Sequence, residues 1–460
     1  MNRNAIALAA MLACLSAPAG GAPKDAAIEK LARQFVALLG REDFQAAAAG
    51  FDPKMRKAMP PAKLAAAWGA LTGQMGRFVA AGGVRTERIA QFQVALVTSQ
   101  FARGRMDVKV VFDADKRISG LWFVPSRPAE YKPPKYVNRA AFGEREVTVG
   151  RGKWALPGTL AMPAAAGPVP ALVLVHGSGP NDRDETLGPN KPFRDLAWGL
   201  ASRKIAVLRY EKRTRRHRKE MAAETGLTVW AETVEDALLA AELLRKTPGV
   251  DPRRVFVLGH SLGGMLVPRI AAKDARIAGF VILAGATRPI EEMILQQSRY
   301  VCGLDGRIDE REKAGLDRLE RIVEKIRDPK LTAESGGALL GAGPAYWLDL
   351  RGYRPAEEAK RVRRPILVLQ GHRDYQVTVV DFATWKLALA GRKDVRFRLY
   401  GDLNHLFIAG RGKSTPAEYT ACGHVAPVVI DDIARWIASQ PAPKAKGPGA
   451  VPPRGRVDRP

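Results

Sequence analysis

From about residue 168 onward, short runs of Val, Ile and Leu alternate with longer stretches in which apolar residues recur every three or four positions. Unbroken apolar runs suit strands buried on both faces and the wider spacing suits amphipathic helices. Their alternation predicts an α/β chain with a parallel sheet covered by helices. The strands fall at residues 171–175, 205–209, 255–258, 279–283, 366–369 and 395–400, with a last helix at 428–438. Between the fourth and fifth strands lies a long insertion, residues 287–364, in which Leu316, Leu319, Ile322, Val323 and Ile326 share one helical face. An insertion there rises above the carboxyl ends of the strands and is expected to act as a lid.

The first third of the chain follows a different pattern. Ile28, Leu31, Phe35, Leu38 and Leu39 recur at helical spacing, residues 63–75 give a second helix, and residues 88–124 alternate as strands around turns at 102–104 and 113–115. This predicts a small α+β domain over residues 20–136, closed by a linker containing Pro125, Pro128, Pro133 and Pro134. A hairpin at 145–160 then opens a second domain spanning 137–438.

The termini add two expectations. An apolar run from Ala5 to Leu15 follows Arg3 and precedes the small residues Ser16 to Gly20, which reads as a signal peptide over residues 1–19, cut after Ala19. Met11 to Cys14 also reads as a lipoprotein cleavage box, with anchoring at Cys14. Either reading implies export, to the periplasm or beyond. Residues 439–460 are basic and rich in Pro and Gly, as in a disordered tail.

Composition narrows the class. With 460 residues, 46% of them hydrophobic, the chain is long and apolar enough for globular domains, and its three cysteines exclude a disulfide scaffold. Removal of Cys14 would leave Cys302 and Cys422, whose pairing spacing alone does not decide. The formal charge of +26 would attract polyanions. Lys and Arg are spread along the chain, however, and the cluster at 209–219 reads as a solvated loop, so nucleic-acid binding is not expected.

The chemistry concentrates at Gly259-His260-Ser261-Leu262-Gly263-Gly264, a G-x-S-x-G between the strand at 255–258 and a helical pattern at 265–273. That context is what a nucleophile elbow requires: glycines permit a turn too tight for side chains, and Ser261 is pushed out over the sheet. Acyl transfer also needs two backbone N–H donors for an oxyanion. Leu262, directly after the nucleophile, supplies one, and the loop His176-Gly177-Ser178-Gly179-Pro180 supplies the other, with Ser178 N–H as the choice and His176 closing the strand end. No Lys-Ser/Thr follows this loop, which argues against a phosphate-binding loop.

A serine hydroxyl needs a base, and the base needs an orienting acid. His405, just past the strand at 395–400, is the candidate base, with His424 as alternative. Asp374, past the strand at 366–369, is the candidate acid, with Asp402 as alternative; the order Ser261, Asp374, His405 fits the hydrolase template. No metal-ligand spacing and no dinucleotide fingerprint is present, so no metal or cofactor is expected.

These motifs, together with Leu208 to Thr214 and Leu369 to Val377, make residues 140–438 resemble an α/β-hydrolase. The whole is similar to bacterial serine esterases that pair an N-terminal domain of uncharacterised role with a lidded hydrolase domain. The resemblance implies a carboxylesterase acting on a small-molecule ester of short acyl chain, with Ser261, Asp374 and His405 as triad. Glu211 stands where many such sequences carry Asp. A peptidase or thioesterase on the same fold, and a cell-envelope binding protein with a vestigial hydrolase domain, are the alternatives.

Overall fold

The structure, a computed structural model, describes residues 25–126, 131–224 and 226–441. The expected leader at 1–19, Cys14 and nearly all of the basic tail lie outside the described residues. The chain divides into two compact units, Met1–Arg127 and Pro128–Pro460. The division falls inside the proline-rich stretch, ahead of the boundary after Tyr136 read from the sequence. Tyr131 and Tyr136 already belong to the second unit, their hydroxyls donating to Asp195 at 2.7 Å and to the Val425 carbonyl at 2.9 Å.

In the first unit, helices Ala26–Gly40, Phe44–Ala49, Pro53–Ala58 and Pro61–Met75 precede an antiparallel meander of β1 (Phe78–Ile89), β2 (Phe92–Phe101), β3 (Gly104–Phe112) and β4 (Ile118–Pro125). Asp25, Asp43 and Asp52 cap the first three helices by accepting backbone N–H groups. Ile28, Phe35 and Leu39 from the first helix and Trp68 from the fourth pack with Val97, Phe101, Val108 and Phe112 in one core. β1 begins well before residue 88, where alternation becomes legible. Its pairing with β2 shifts register around Ala80 and again between Ala81 and Val84, beside Gly82 and Gly83, and its residues are mostly exposed, so no period of two is written there.

The second unit is built on an eight-stranded sheet of β5 (Phe142–Val149), β6 (Leu156–Pro163), β7 (Val169–Val175), β8 (Ala206–Tyr210), β9 (Val250–His260), β10 (Phe280–Leu283), β11 (Ile366–Gly371) and β12 (Val395–Tyr400). Their order is β12-β11-β10-β9-β7-β8-β6-β5. From β12 to β8 neighbours are parallel, while the β5–β6 hairpin pairs antiparallel and joins β8 antiparallel. Every residue of β10 and β11 is buried, as continuous apolar strands of a doubly covered sheet must be. The chain passes from β7 to β8 on one side and returns to β9 on the other. The loops leaving β7 and β9 therefore part at a topological switch point, where open α/β sheets form their crevices.

The insertion between β10 and β11 is helical, with Ile290–Cys302, Glu310–Arg327, Pro344–Leu350 and Pro355–Ala359. Its second half is anchored in the body: Leu350, Tyr353, Ala356 and Ala359 join the main core, and the Tyr353 hydroxyl donates to the Met265 carbonyl at 2.8 Å. Its first half reaches the loop after β11, where Gln297 Nε2 donates to the Gln376 carbonyl at 3.0 Å and Tyr300 stacks on Tyr375 at 4.8 Å. Among the described residues no helix is long and apolar enough to cross a membrane.

Candidate active site

β9 ends at His260 and the chain turns at Ser261 into helix Leu262–Met265. Ser261 has φ 53° and ψ −114°, a left-handed conformation that costs a non-glycine residue energy and persists only where the surroundings enforce it. The surroundings are backbone. A Cβ on Gly259 would lie 2.1 Å from the Gly263 carbonyl oxygen, and one on Gly263 would lie 2.3 Å from that of Val175. Both glycines of the motif are thus required by close approach. The helical pattern beyond the elbow breaks at Leu266, where a second helix, Val267–Lys273, begins with Pro268 in its first turn. Proline has no N–H to continue the first ladder, so the single helix read at 265–273 is divided.

The Leu262 N–H opens its helix; intrahelical bonding starts with Met265 and Leu266, which donate to the Ser261 and Leu262 carbonyls. It is therefore one of the N–H groups a helix leaves for an outside acceptor. The loop after β7 runs alongside, since a Cβ on Gly177 would sit 3.2 Å from Ser261 Cβ. Gly177 N–H donates to Glu185 Oε1 at 2.6 Å and is thereby paired, and Ser178 N–H is the next backbone N–H along the loop. Ser178 itself is exposed. His176 closes the strand end as expected: buried between Phe193 and Tyr210, its Nε2 faces the Asp182 carbonyl oxygen at 3.1 Å. Burial pushes its pKa down to about 4, so it is neutral near pH 7.

The loops after β11 and β12 bring the two remaining candidates together. Arg373 N–H donates to the Leu403 carbonyl at 3.0 Å, and the close passage of Gly371 against the Leu403 and Asn404 carbonyls leaves no room for a Cβ. His405 Nδ1 lies 2.7 Å from Asp374 Oδ2, with both residues buried. Asp374 Oδ1 accepts the N–H groups of Gln376 and Val377 at 2.8 and 3.0 Å, and Oδ2 accepts Gln370 Nε2 at 3.2 Å. The carboxylate is thus fixed as an acceptor, which leaves Nδ1 of His405 protonated and Nε2 free to act as base. The alternatives are placed elsewhere: Asp402 is exposed, and His424 faces Asp195 at 3.1 Å, in a cluster with Tyr131.

Residues that sequence reasoning did not assign complete the surroundings. The ring of His260 packs 4.7 Å from that of His405, and its Nδ1 lies 2.8 Å from Glu185 Oε2. Burial is the largest single influence and opposes charge on both partners, but their mutual attraction, joined by the His405 carbonyl and Asp374 on the His260 side and by His176 and the Gly177 N–H on the Glu185 side, together outweighs it, so the His260 pKa is raised and that of Glu185 lowered. Glu211 receives Arg183 Nε at 2.9 Å, so the longer acid still supports the loop. The basic run at 209–219 is not simply solvated, because Arg209, Lys212 and Arg213 are buried against Asp184, Glu232 and Asp236. Cys422 is exposed and carries no disulfide, so the Cys302–Cys422 bond left open by the sequence is not formed here. Among the described residues no group of three or more His, Cys, Asp or Glu is placed to hold a metal ion.

Residues 32–121 match a protein of unknown function (DUF3887). The chain is 40% identical over 413 residues to Esterase EstD of Thermotoga maritima, covering 89% of this chain and 95% of that one. Similar solved structures include Est1E from Butyrivibrio proteoclasticus, at 14% identity and TM-score 0.42 over 64% of this chain and 98% of that one. Another is the Pyrococcus horikoshii acylaminoacyl peptidase, at 14% identity and TM-score 0.44 over 81% and 51%. Residues 172–436, more than half of the sequence and all of the strands from β8 to β12, match the Alpha/beta hydrolase family, and the chain belongs to that family.

Proposed function

We propose that the protein is an exported serine esterase that cleaves carboxylic esters of short acyl chain through an acyl-Ser261 intermediate. The observation that carries this reading is the conjunction of Ser261 on its strained turn with the His405–Asp374 contact of 2.7 Å beyond neighbouring strands. The 40% identity to an esterase over nearly the whole chain supports an oxygen ester over an amide or thioester.

In the proposed reaction His405 Nε2 takes the Ser261 proton as Oγ attacks the ester carbonyl carbon. Asp374 holds the ring in the required tautomer and stabilises the imidazolium. The negative charge that forms on the carbonyl oxygen is received by the N–H groups of Leu262 and Ser178, aided by the helix that starts at Leu262. Collapse breaks the carbon–oxygen bond, and the imidazolium gives its proton to the departing alcohol. Water then repeats the sequence on the acyl-enzyme, with His405 again as base, and releases the carboxylic acid.

The test is a series of p-nitrophenyl esters from acetate to dodecanoate, assayed with the purified protein and with Ser261→Ala. Turnover should be greatest with the short acyl esters and absent in the variant. Equal hydrolysis by the variant, or none of any ester by the parent, would overturn the reading.

A further inference from the structure

Lys212 is one of the most completely buried charged residues in the second unit, at 1% exposure. Its Nζ donates to the Gly177 carbonyl oxygen at 2.8 Å, and Asn181 Nδ2 donates to the same oxygen at 3.2 Å. The ammonium is held there from behind. Glu232 Oε1 lies 3.3 Å from it, and that buried carboxylate also accepts Thr214 Oγ1 at 3.0 Å and the Tyr346 hydroxyl at 3.2 Å. Lys212 and Asn181 are joined through the backbone as well, Lys212 N–H donating to the Asn181 carbonyl at 3.1 Å.

The Gly177 carbonyl is half of the peptide whose other half is the Ser178 N–H. A peptide is planar and its C=O and N–H point in opposite directions, so fixing the oxygen on Lys212 fixes where that N–H points. A cation on the oxygen also draws electron density from the nitrogen and makes the N–H a better donor, more so in a dry interior. Gly177 cannot swing to offer its own N–H, which Glu185 occupies at 2.6 Å. A buried ion pair adds little net stability, because desolvation offsets the attraction. The carbonyl contact is what this lysine provides and an apolar side chain of its size would not.

We infer that Lys212 is a positioning residue for the oxyanion site, its ammonium orienting and polarising the Gly177–Ser178 peptide. The inference rests on the esterase reading above. Glu232 in turn sets the ammonium, and through Tyr346 this support extends to the returning half of the inserted segment.

The test compares the parent with Lys212→Met and with Lys212→Met/Glu232→Gln, which removes the stranded carboxylate if the single variant folds poorly. For a short p-nitrophenyl ester kcat should fall by about ten- to a hundredfold, with KM changed less than about threefold, as for loss of an interaction made in the transition state. Inhibition by an alkyl boronic acid, whose tetrahedral adduct on Ser261 puts an oxygen in the same place, should weaken by a similar factor. A folded variant with unchanged kcat and unchanged boronate affinity would overturn the inference. So would loss of folding in both variants, which would assign Lys212 to the fold alone. Ser261→Ala separates the two levels: activity remaining there defeats the esterase reading itself, whereas an inactive Ser261→Ala beside a fully active Lys212→Met defeats only the role of Lys212.

Discussion

The imidazole of His260 lies 4.7 Å from that of His405, and its Nε2 is 3.0 Å from the His405 backbone carbonyl oxygen. A carbonyl only accepts, so Nε2 carries a proton. With Nδ1 facing Glu185 at 2.8 Å, both ring nitrogens have a use for one. The residue before Ser261 is thereby tied to the loop that carries His405 on one side and, through Glu185 and Gly177, to the loop that carries Ser178 on the other.

The stability of the second unit should depend on this pair in a defined pH window. The raised His260 pKa contributes stability that is fully present below the unfolded value of about 6.5 and is lost as pH rises through the folded value. The lowered Glu185 pKa contributes stability present above about 4.3 and lost as pH falls through its folded value. Thermal melts of the parent and Glu185→Gln from about pH 5 to about pH 9 should differ most on the acid side of about 6.5 and converge only as pH rises through the raised His260 value. A constant difference across the range would show that the two groups do not form a charged pair.

Replacing Ser261 should separate catalysis from strain. Ser261→Gly relieves a backbone with φ 53° and is expected to raise stability by about 1 kcal/mol, while Ser261→Ala keeps the strain and leaves stability near the parent's. Both should be inactive. A melting temperature for Ser261→Gly below that of Ser261→Ala would contradict the strain.

Asp374→Asn should cost on the order of 10³–10⁴ in kcat, because the amide cannot hold His405 in the required tautomer. Asp402→Asn, at an exposed position, should leave kcat within about twofold, as most exposed substitutions do. Steady-state kinetics on one short ester decides between them, and the opposite order of effects would move the acid to Asp402.

Gly263→Ala is expected to prevent folding of the second unit, since its Cβ would meet the Val175 carbonyl oxygen at 2.3 Å and the His176 carbonyl oxygen at 2.8 Å, both of them backbone atoms. Gly303→Ala, where a Cβ meets nothing, should fold normally. Near-ultraviolet circular dichroism of the two variants makes the comparison, and a natively folded Gly263→Ala would mean that the elbow is looser than described.

Much of the site could be read from the sequence because its constraints are local. A strand buried on both faces is an unbroken apolar run, as at β10, and an elbow with no room for side chains is written as Gly259 and Gly263. The contact between Asp374 and His405 is foreshadowed by chain order, each residue following a recognisable strand. The supports are not, because their partners are distant along the chain. Lys212 looks like part of a basic run until Glu232 and the Gly177 carbonyl are seen beside it, and Arg209 until Asp184 is. His260 stands in the G-x-S-x-G motif and Glu185 five residues past the loop at 176–180, but nothing in the sequence says that they face one another. Most of β1 is illegible for the opposite reason: an exposed, bulged strand buries too little to impose alternation.

Whether Ser261 is a nucleophile activated by His405 is decided by titration with a fluorophosphonate followed by peptide mapping. One label per chain is expected, on the peptide containing Ser261, with activity falling in proportion and labelling slowed by orders of magnitude in His405→Ala. A fully labelled protein that keeps its activity, or a label on a serine other than Ser261, would contradict it.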